Sequence, residues 1–253
     1  MAEIVFESLT KIYRRRHLGR LIQTVGVQDL SLEVSAGEVF GLLGLNGAGK
    51  TTAIKCLLGL LFPTSGRVVI GGRVMPNREA MSRLGYLPEV PAGYRDLTAR
   101  EVLDLYGRLS GVDAAARAER IPRLITEVGL DTEGGRRLGE FSKGMLQRIG
   151  MAQALLHDPS ILIFDEPLTG LDPLGLKAMR ELILSLKRQG KTVFFSSHSL
   201  GEVERTCDRV AILANGRLAR IVSAEAWRAV AGEAPRAAPG RLEQIFIETV
   251  QSI

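Results

Sequence analysis

The sequence predicts an α/β protein whose core is interrupted by a helical segment. Three observations carry that reading. A glycine-rich stretch, GLNGAGKT from Gly44 to Thr51, lies between a strand-like pattern and a helix-like one. From about Thr98 the strand signals vanish and apolar residues recur with helical period. SILIFDEP then restores a short apolar run bounded by polar residues, the pattern of a buried strand.

Taken in order, EIVFESL and LSLEVSAGEVFGLLG alternate and are rich in β-branched residues, as strands require, and the second ends in the glycine loop. KTTAIKCLLGLL reads as a helix, FPTSG as a turn, and RVVIGG as a strand running into another turn. TAREVLDLYGRLSG, AARAERIPRLITEVGL and SKGMLQRIGMAQALLHDP are helical; in the last, Met145, Ile149, Ala152 and Leu156 fall on one face. DPLGLKAMRELILSLKRQG is a helix stopped at Gly190. KTVFFSSH is a strand, LGEVERTCD a helix, and RVAILANGRLARI a hairpin turned by Asn215-Gly216. A Pro/Ala/Gly linker, GEAPRAAPG, precedes a final amphipathic segment, RLEQIFIETV. The expected organisation is a core with a β region over 1–90, a helical subdomain over 91–158, the rest of the core over 159–220, and a tail over 221–253.

Bulk properties narrow the class. The chain has 253 residues, enough to bury a full core, and a charged fraction of 24% argues against disorder. Its longest apolar runs, ILIF and TVFF, fall far short of the roughly 18 residues of a membrane span. The start, MAEIVFESLTKIY, has acidic residues and no apolar signal region, so a cytoplasmic chain is expected. Cys56 and Cys207 form no ligand cluster with the three histidines; Cys56, in an apolar helix, reads as a buried reduced thiol. The net charge of +5 reads as a mildly basic surface, with no direct nucleic-acid contact expected. The densest basic stretch, Lys11 to Arg20, reads as a solvated loop.

The glycine stretch carries the chemistry. It fits G-x-x-x-x-G-K-[ST], with Gly44, Gly49, Lys50 and Thr51 in the defining places. Glycines allow backbone amides to turn inward around a phosphate, and the following helix aims its N-terminus at the same anion. Phosphate contacts are expected from Gly44, Leu45, Asn46, Gly47, Ala48, Gly49, Lys50, Thr51 and Thr52. Lys50 faces the outer phosphates of a nucleotide, and the Thr51 hydroxyl can ligate Mg²⁺. Asp165 ends an apolar strand, where open α/β sheets place their ligands, and would hold Mg²⁺ directly or through water. Glu166 follows, placed to activate an attacking water. The same pair of acids could instead be the charge pair of a helix N-terminus.

Two more stretches, LGEFSKGMLQR and SSHSL, join LTGLD to complete an ordered set. Phosphate loop, glutamine-loop position, signature, acidic strand, D-loop and histidine switch follow one another over about residues 3 to 220. In this the chain resembles the ATP-binding-cassette (ABC) ATPases. The resemblance implies a P-loop NTPase (RecA-like) core with an N-terminal antiparallel β region and an inserted helical subdomain. It implies catalytic roles for Glu166 and His198, a D-loop role for Asp172, and adenine stacking on Tyr13. Ser142, Lys143 and Gly144 would face ATP bound by a second ATPase subunit, expected to be an identical copy. Ser142 reads independently as a helix N-cap, and both roles can hold together.

Two positions depart from the family pattern. Lys143 and Met145 replace a glycine and a glutamine of the signature, while Ser142 and Gly144 remain. At the glutamine-loop position stands Glu89, whose carboxylate could bind Mg²⁺ more directly than an amide. GYLPE, the helix after it and the closing RLEQIFIETV resemble the ABC-2-type exporters. That resemblance implies an ATP-hydrolysing subunit at the inner face of the cell membrane, driving a separate transmembrane permease. The alternative is an ABC ATPase that transports nothing, acting as a nucleic-acid or ribosome clamp or a cluster-assembly scaffold.

Overall fold

The computed structural model describes residues 2–17, 20–91, 94–228 and 240–252. The chain divides into two compact units, one of Met1–Met81 with Phe194–Ile253 and one of Ser82–Val193.

The first unit opens with two long strands, β1 (Ala2–His17) and β2 (Arg20–Ser35), paired antiparallel from Ala2↔Ser35 to His17↔Arg20. Along β2, Leu30, Leu32 and Val34 are buried while Ser31, Glu33 and Ser35 are exposed, the period-two signature of a sheet with one wet face. Register shifts in β1 flank Ser8, whose φ is 45° and whose N–H donates to Ser31 Oγ at 3.0 Å. Next come β3 (Val39–Leu43), α1 (Lys50–Leu57), β4 (Ser65–Ile70), β5 (Arg73–Val74) and a single turn, α2 (Arg78–Met81). The antiparallel sheet has the order β2-β1-β4-β5.

The stretch Lys11–Arg20 corrects an expectation. Its described residues are strand: Lys11 through His17 continue β1, and Arg20 starts β2. The strand is imposed by pairing with β2 rather than by burial, since Arg14, Arg15 and Arg16 are all exposed.

The second unit begins with β6 (Leu84–Leu87) and continues with α3 (Ala99–Leu109), α4 (Ala114–Glu127), a 3-10 turn at Leu138–Glu140, α5 (Lys143–Leu155), β7 (Ile161–Asp165) and α6 (Pro173–Arg188). Local chemistry explains the helix starts. Thr98 and Glu101 form a reciprocal capping box on α3, Asp113 accepts from Ala116 N–H at 2.9 Å on α4, and Asp172 accepts from Gly175 N–H at 2.6 Å on α6, with Pro173 in its first turn. α3 and α4 are joined by Arg117, which donates to Asp104 Oδ1 at 2.7 Å and Val112 O at 2.5 Å. β6 and β7 are parallel, with Leu87 opposite Phe164, and every residue of β7 is buried.

β8 (Thr192–Ser197) crosses the boundary and returns the chain to the first unit, followed by α7 (Leu200–Thr206), β9 (Arg209–Ala214), β10 (Arg217–Ser223), α8 (Ala224–Arg228) and α9 (Arg241–Gln251). There the strand order is β10-β9-β3-β8, with β3 and β9 parallel. Asn215 and Gly216 both have positive φ, 50° and 77°, as a two-residue hairpin of type I′ demands. Phe194 of β8 stacks on Phe40 at 5.8 Å between centroids and tilts against Phe6 at 6.0 Å, binding the two sheets of this unit. Trp227, almost wholly buried, donates its indole N–H to Glu204 O at 3.1 Å. α9 buries Leu242, Ile245 and Thr249 on one side. Of the expected linker at 232–240, all but Gly240 lies outside the described residues.

Candidate nucleotide site and signature pocket

The phosphate loop belongs to the first unit. β3 ends at Leu43, the loop runs from Gly44, and α1 begins at Lys50. Gly49 caps α1 with φ 104°, and a Cβ there would drive into the Gly26 carbonyl, so only glycine fits. No side chain caps α1 and its first turn has no acid, which leaves its amide end open to an anion. Lys50 is buried, and its ammonium donates to Gly44 O at 2.7 Å and reaches Leu45 O at 3.5 Å. Ala48 N–H closes a turn onto Leu45 O at 3.0 Å. The loop is therefore folded around the cation it will offer.

Tyr13 lies beside this loop. Its ring is 40% exposed, its hydroxyl is 3.2 Å from Thr52 Oγ1, and Lys11 Nζ sits 5.7 Å from its centroid. Gly26 on β2 makes the arrangement possible, since a Cβ there would meet the Tyr13 ring at 2.6 Å and Thr52 Cγ2 at 2.9 Å. The need for Gly26 is absent from the motif reading; its only signal in the sequence is a glycine between two β-branched residues, Val25 and Val27. His198 directly follows β8 and is exposed. Cys56 is buried in α1, and that burial pushes its thiol up to about 11, so it is inert.

The second unit holds the acids. Asp165 is the last residue of β7 and 2% exposed; Glu166 is 7% exposed and has φ 52°, unusual for a residue with a side chain. Thr169 braces Glu166 twice, its N–H donating to Glu166 O and its hydroxyl to Glu166 Oε2, both at 3.2 Å. The exposed Glu89 lies two residues past β6, at the same carboxyl end of the parallel pair as Asp165. Tyr86 of β6 has its phenol pushed up to about 12, by burial first and by the Asp165 charge second, so it remains a donor at neutral pH.

Ser142 caps α5 and accepts from Met145 N–H at 3.3 Å. Lys143 lies against Gly170, where a Cβ would come within 2.7 Å of its Nζ. Ser142, Lys143 and Gly144 line one open pocket of about 490 Å³ together with Gly170, Leu171 and Asp172. The structure thus brings the stretch read as the signature beside the one read as the D-loop. Met145, read on one face with Ile149, Ala152 and Leu156, is only half-buried where those three are buried, and it also lines this pocket.

A parallel strand, a glycine loop with its lysine and an uncapped helix define a P-loop nucleotide-binding protein. Residues 27–169 match the sequence profile of the ABC transporter family, and the chain belongs to that family. It is 47% identical over 85% of its length to an uncharacterized ABC transporter ATP-binding protein of Nostoc sp. strain PCC 7120. It is 46% identical over 76% of its length to the bacitracin transport ATP-binding protein BcrA of Bacillus licheniformis. The matches span 64% and 63% of those two proteins' own lengths. Among solved structures, the ATP-binding subunit of an ABC transporter superposes with a TM-score of 0.80 at 32% identity, covering 97% of this chain and 98% of that one.

Proposed function

We propose that the chain is the ATP-binding and ATP-hydrolysing subunit of an ABC transporter of the exporter type, driving a separate transmembrane permease from the inner face of the membrane. The observation that carries this reading is a pair of helix N-termini of different build, which this reading takes as two anion sites. One is the uncapped loop Gly44–Thr52, folded around Lys50. The other is the pocket where the α5 N-terminus meets the D-loop. In this reading the first holds ATP, with Tyr13 against adenine. The second, through Ser142, Lys143, Gly144 and Asp172, addresses the ATP of a second copy, so that ATP closes a dimer. The similarity to a bacitracin transport protein supports a transport role. Among the described residues no helix is long and apolar enough to cross a membrane.

Each donor, taken by itself, has chemistry that suits Mg²⁺. Thr51 offers a hydroxyl and Asp165 a carboxylate, hard oxygens suited to an ion that keeps waters and substrate phosphates. Thr51 and Asp165 would hold the ion, with Glu89 as a further carboxylate, and the ion would neutralise charge on the outer phosphates. Glu166 takes the proton of the attacking water and His198 attends the γ-phosphate end. Thr169 keeps the Glu166 carboxylate in place.

Sedimentation tests this reading. The chain is expected to be monomeric without nucleotide, and Glu166→Gln dimeric with Mg·ATP. Adding Ser142→Arg should return that variant to monomer, because bulk and charge fill the second anion surface. A dimer that forms without nucleotide, or survives Ser142→Arg, would overturn the ATP-closed dimer.

A further inference from the structure

Gln147, on the second turn of α5, is only 1% exposed. Its Nε2 donates to Pro167 O at 3.4 Å, and among the described residues its Oε1 has no partner. The chemistry fixes this orientation. Turning the amide over would place its oxygen against the Pro167 carbonyl, acceptor to acceptor. An amide here therefore leaves a buried acceptor unmet, at a cost that a leucine or methionine of similar size would avoid. The amide meets the buried Pro167 carbonyl but leaves its own oxygen unmet, so the exchange gives little net stability reason for a glutamine at this position.

The contact it makes supplies the reason. Pro167 directly follows Glu166, whose left-handed backbone persists only where its surroundings hold it. Thr169 holds that residue from within the same loop. Gln147 reaches it from another element, the helix that starts at the signature. Lys143, one turn earlier on α5, lies against Gly170 at the other end of the loop. The loop from Glu166 to Asp172 is thus spanned by two side chains of α5.

We infer that Gln147 is a positioning residue: its amide anchors the Pro167 carbonyl, sets the Glu166 carboxylate for proton transfer, and ties that loop to the helix whose N-terminus lines the signature pocket. This rests on the reading of Glu166 as the base. Gln147 itself touches no reacting atom.

The test is steady-state ATP hydrolysis by the full chain, with melting temperature alongside. Gln147→Leu keeps the bulk and removes the donor. Its kcat is expected to fall by about 10- to 100-fold, the scale of a misplaced catalytic group, with KM for ATP changed by less than about twofold. Its melting temperature should change little, because one unmet acceptor, Oε1, is gone and another, the Pro167 carbonyl, takes its place. Gln147→Glu adds a pH signature. Ionised, its carboxylate cannot donate to Pro167 O; protonated, it can. The ratio of its kcat to that of the unchanged protein, taken at each pH, should therefore rise as pH falls. The inference is overturned if Gln147→Leu keeps full kcat, if its kcat falls only in step with its melting temperature, or if the Gln147→Glu ratio is flat with pH. Glu166→Gln separates the two readings. If it is inactive while Gln147→Leu is fully active, only the inference about Gln147 fails. If Glu166→Gln itself keeps hydrolysing ATP, the base has been misassigned.

Discussion

Asp165 and Glu166 are adjacent carboxylates, both nearly buried, on either side of the end of β7. Their chemistry predicts opposite failures. Glu166→Gln keeps the shape but cannot accept a proton, so hydrolysis should fall by about 100-fold or more while Mg·ATP still binds. Binding should even tighten, because a negative charge near the γ-phosphate has gone. Asp165→Asn should lose the Mg²⁺-dependent part of binding. Equilibrium binding with and without Mg²⁺, beside turnover, distinguishes the two; equal effects on binding would count against the division of roles. A second residue has a pH signature. His157 lies 3.0 Å from Leu84 O through Nε2, and burial holds its pKa below the ordinary value. The unfolded chain therefore takes up a proton that the folded chain resists. The stability tied to this group is full above about pH 6.5 and is lost as pH falls from there toward the lowered folded value. In His157→Gln, whose amide can still donate to Leu84 O, melting temperature should decline less between pH 7 and 5 than in the unchanged protein.

The capping box on α3 gives a prediction for an element. Thr98→Ala removes the side chain that accepts from Glu101 N–H, and should cost about 1 kcal/mol, or roughly 2–4 °C of melting temperature at this chain length. Thr98→Ser should recover most of it. Caps of this kind are readable from sequence because they are local: Thr98 with Glu101, Ser142 before α5, and Asp172 before Pro173 each act within one turn. The Asn215-Gly216 hairpin and the glycine loop are legible for the same reason. The strand over Lys11–His17 was not, because its exposed arginines carry no period of burial and its shape comes from a partner strand across the sheet. The braces on the site were hidden likewise. Gly26, Thr169 and Gln147 matter through what they touch, and for Gly26 and Gln147 those neighbours lie far along the chain.

For the molecule as a whole, nucleotide binding should appear as stability. A ligand that binds only the folded chain adds about 2.7 kcal/mol at 100 times its Kd, which for a chain of this size is roughly 5–10 °C. Lys50→Ala, lacking the ammonium that now rests on Gly44 O, should lose most of that shift and about 100- to 1000-fold in turnover. An unaltered shift in this variant would remove Lys50 from the phosphate site. The buried indole of Trp227 offers a way to see where that stability goes. It is the sole tryptophan of the chain and lies in the unit that contains the glycine loop. The three longest helices among the described residues, α4, α5 and α6, all lie in the other unit. Intrinsic emission is thus a gauge of one half of the molecule, while far-ultraviolet dichroism is weighted toward the other. Without any label, melting followed by both signals, with and without ATP, would report whether the halves come apart together or in sequence. The emission midpoint should climb with ATP.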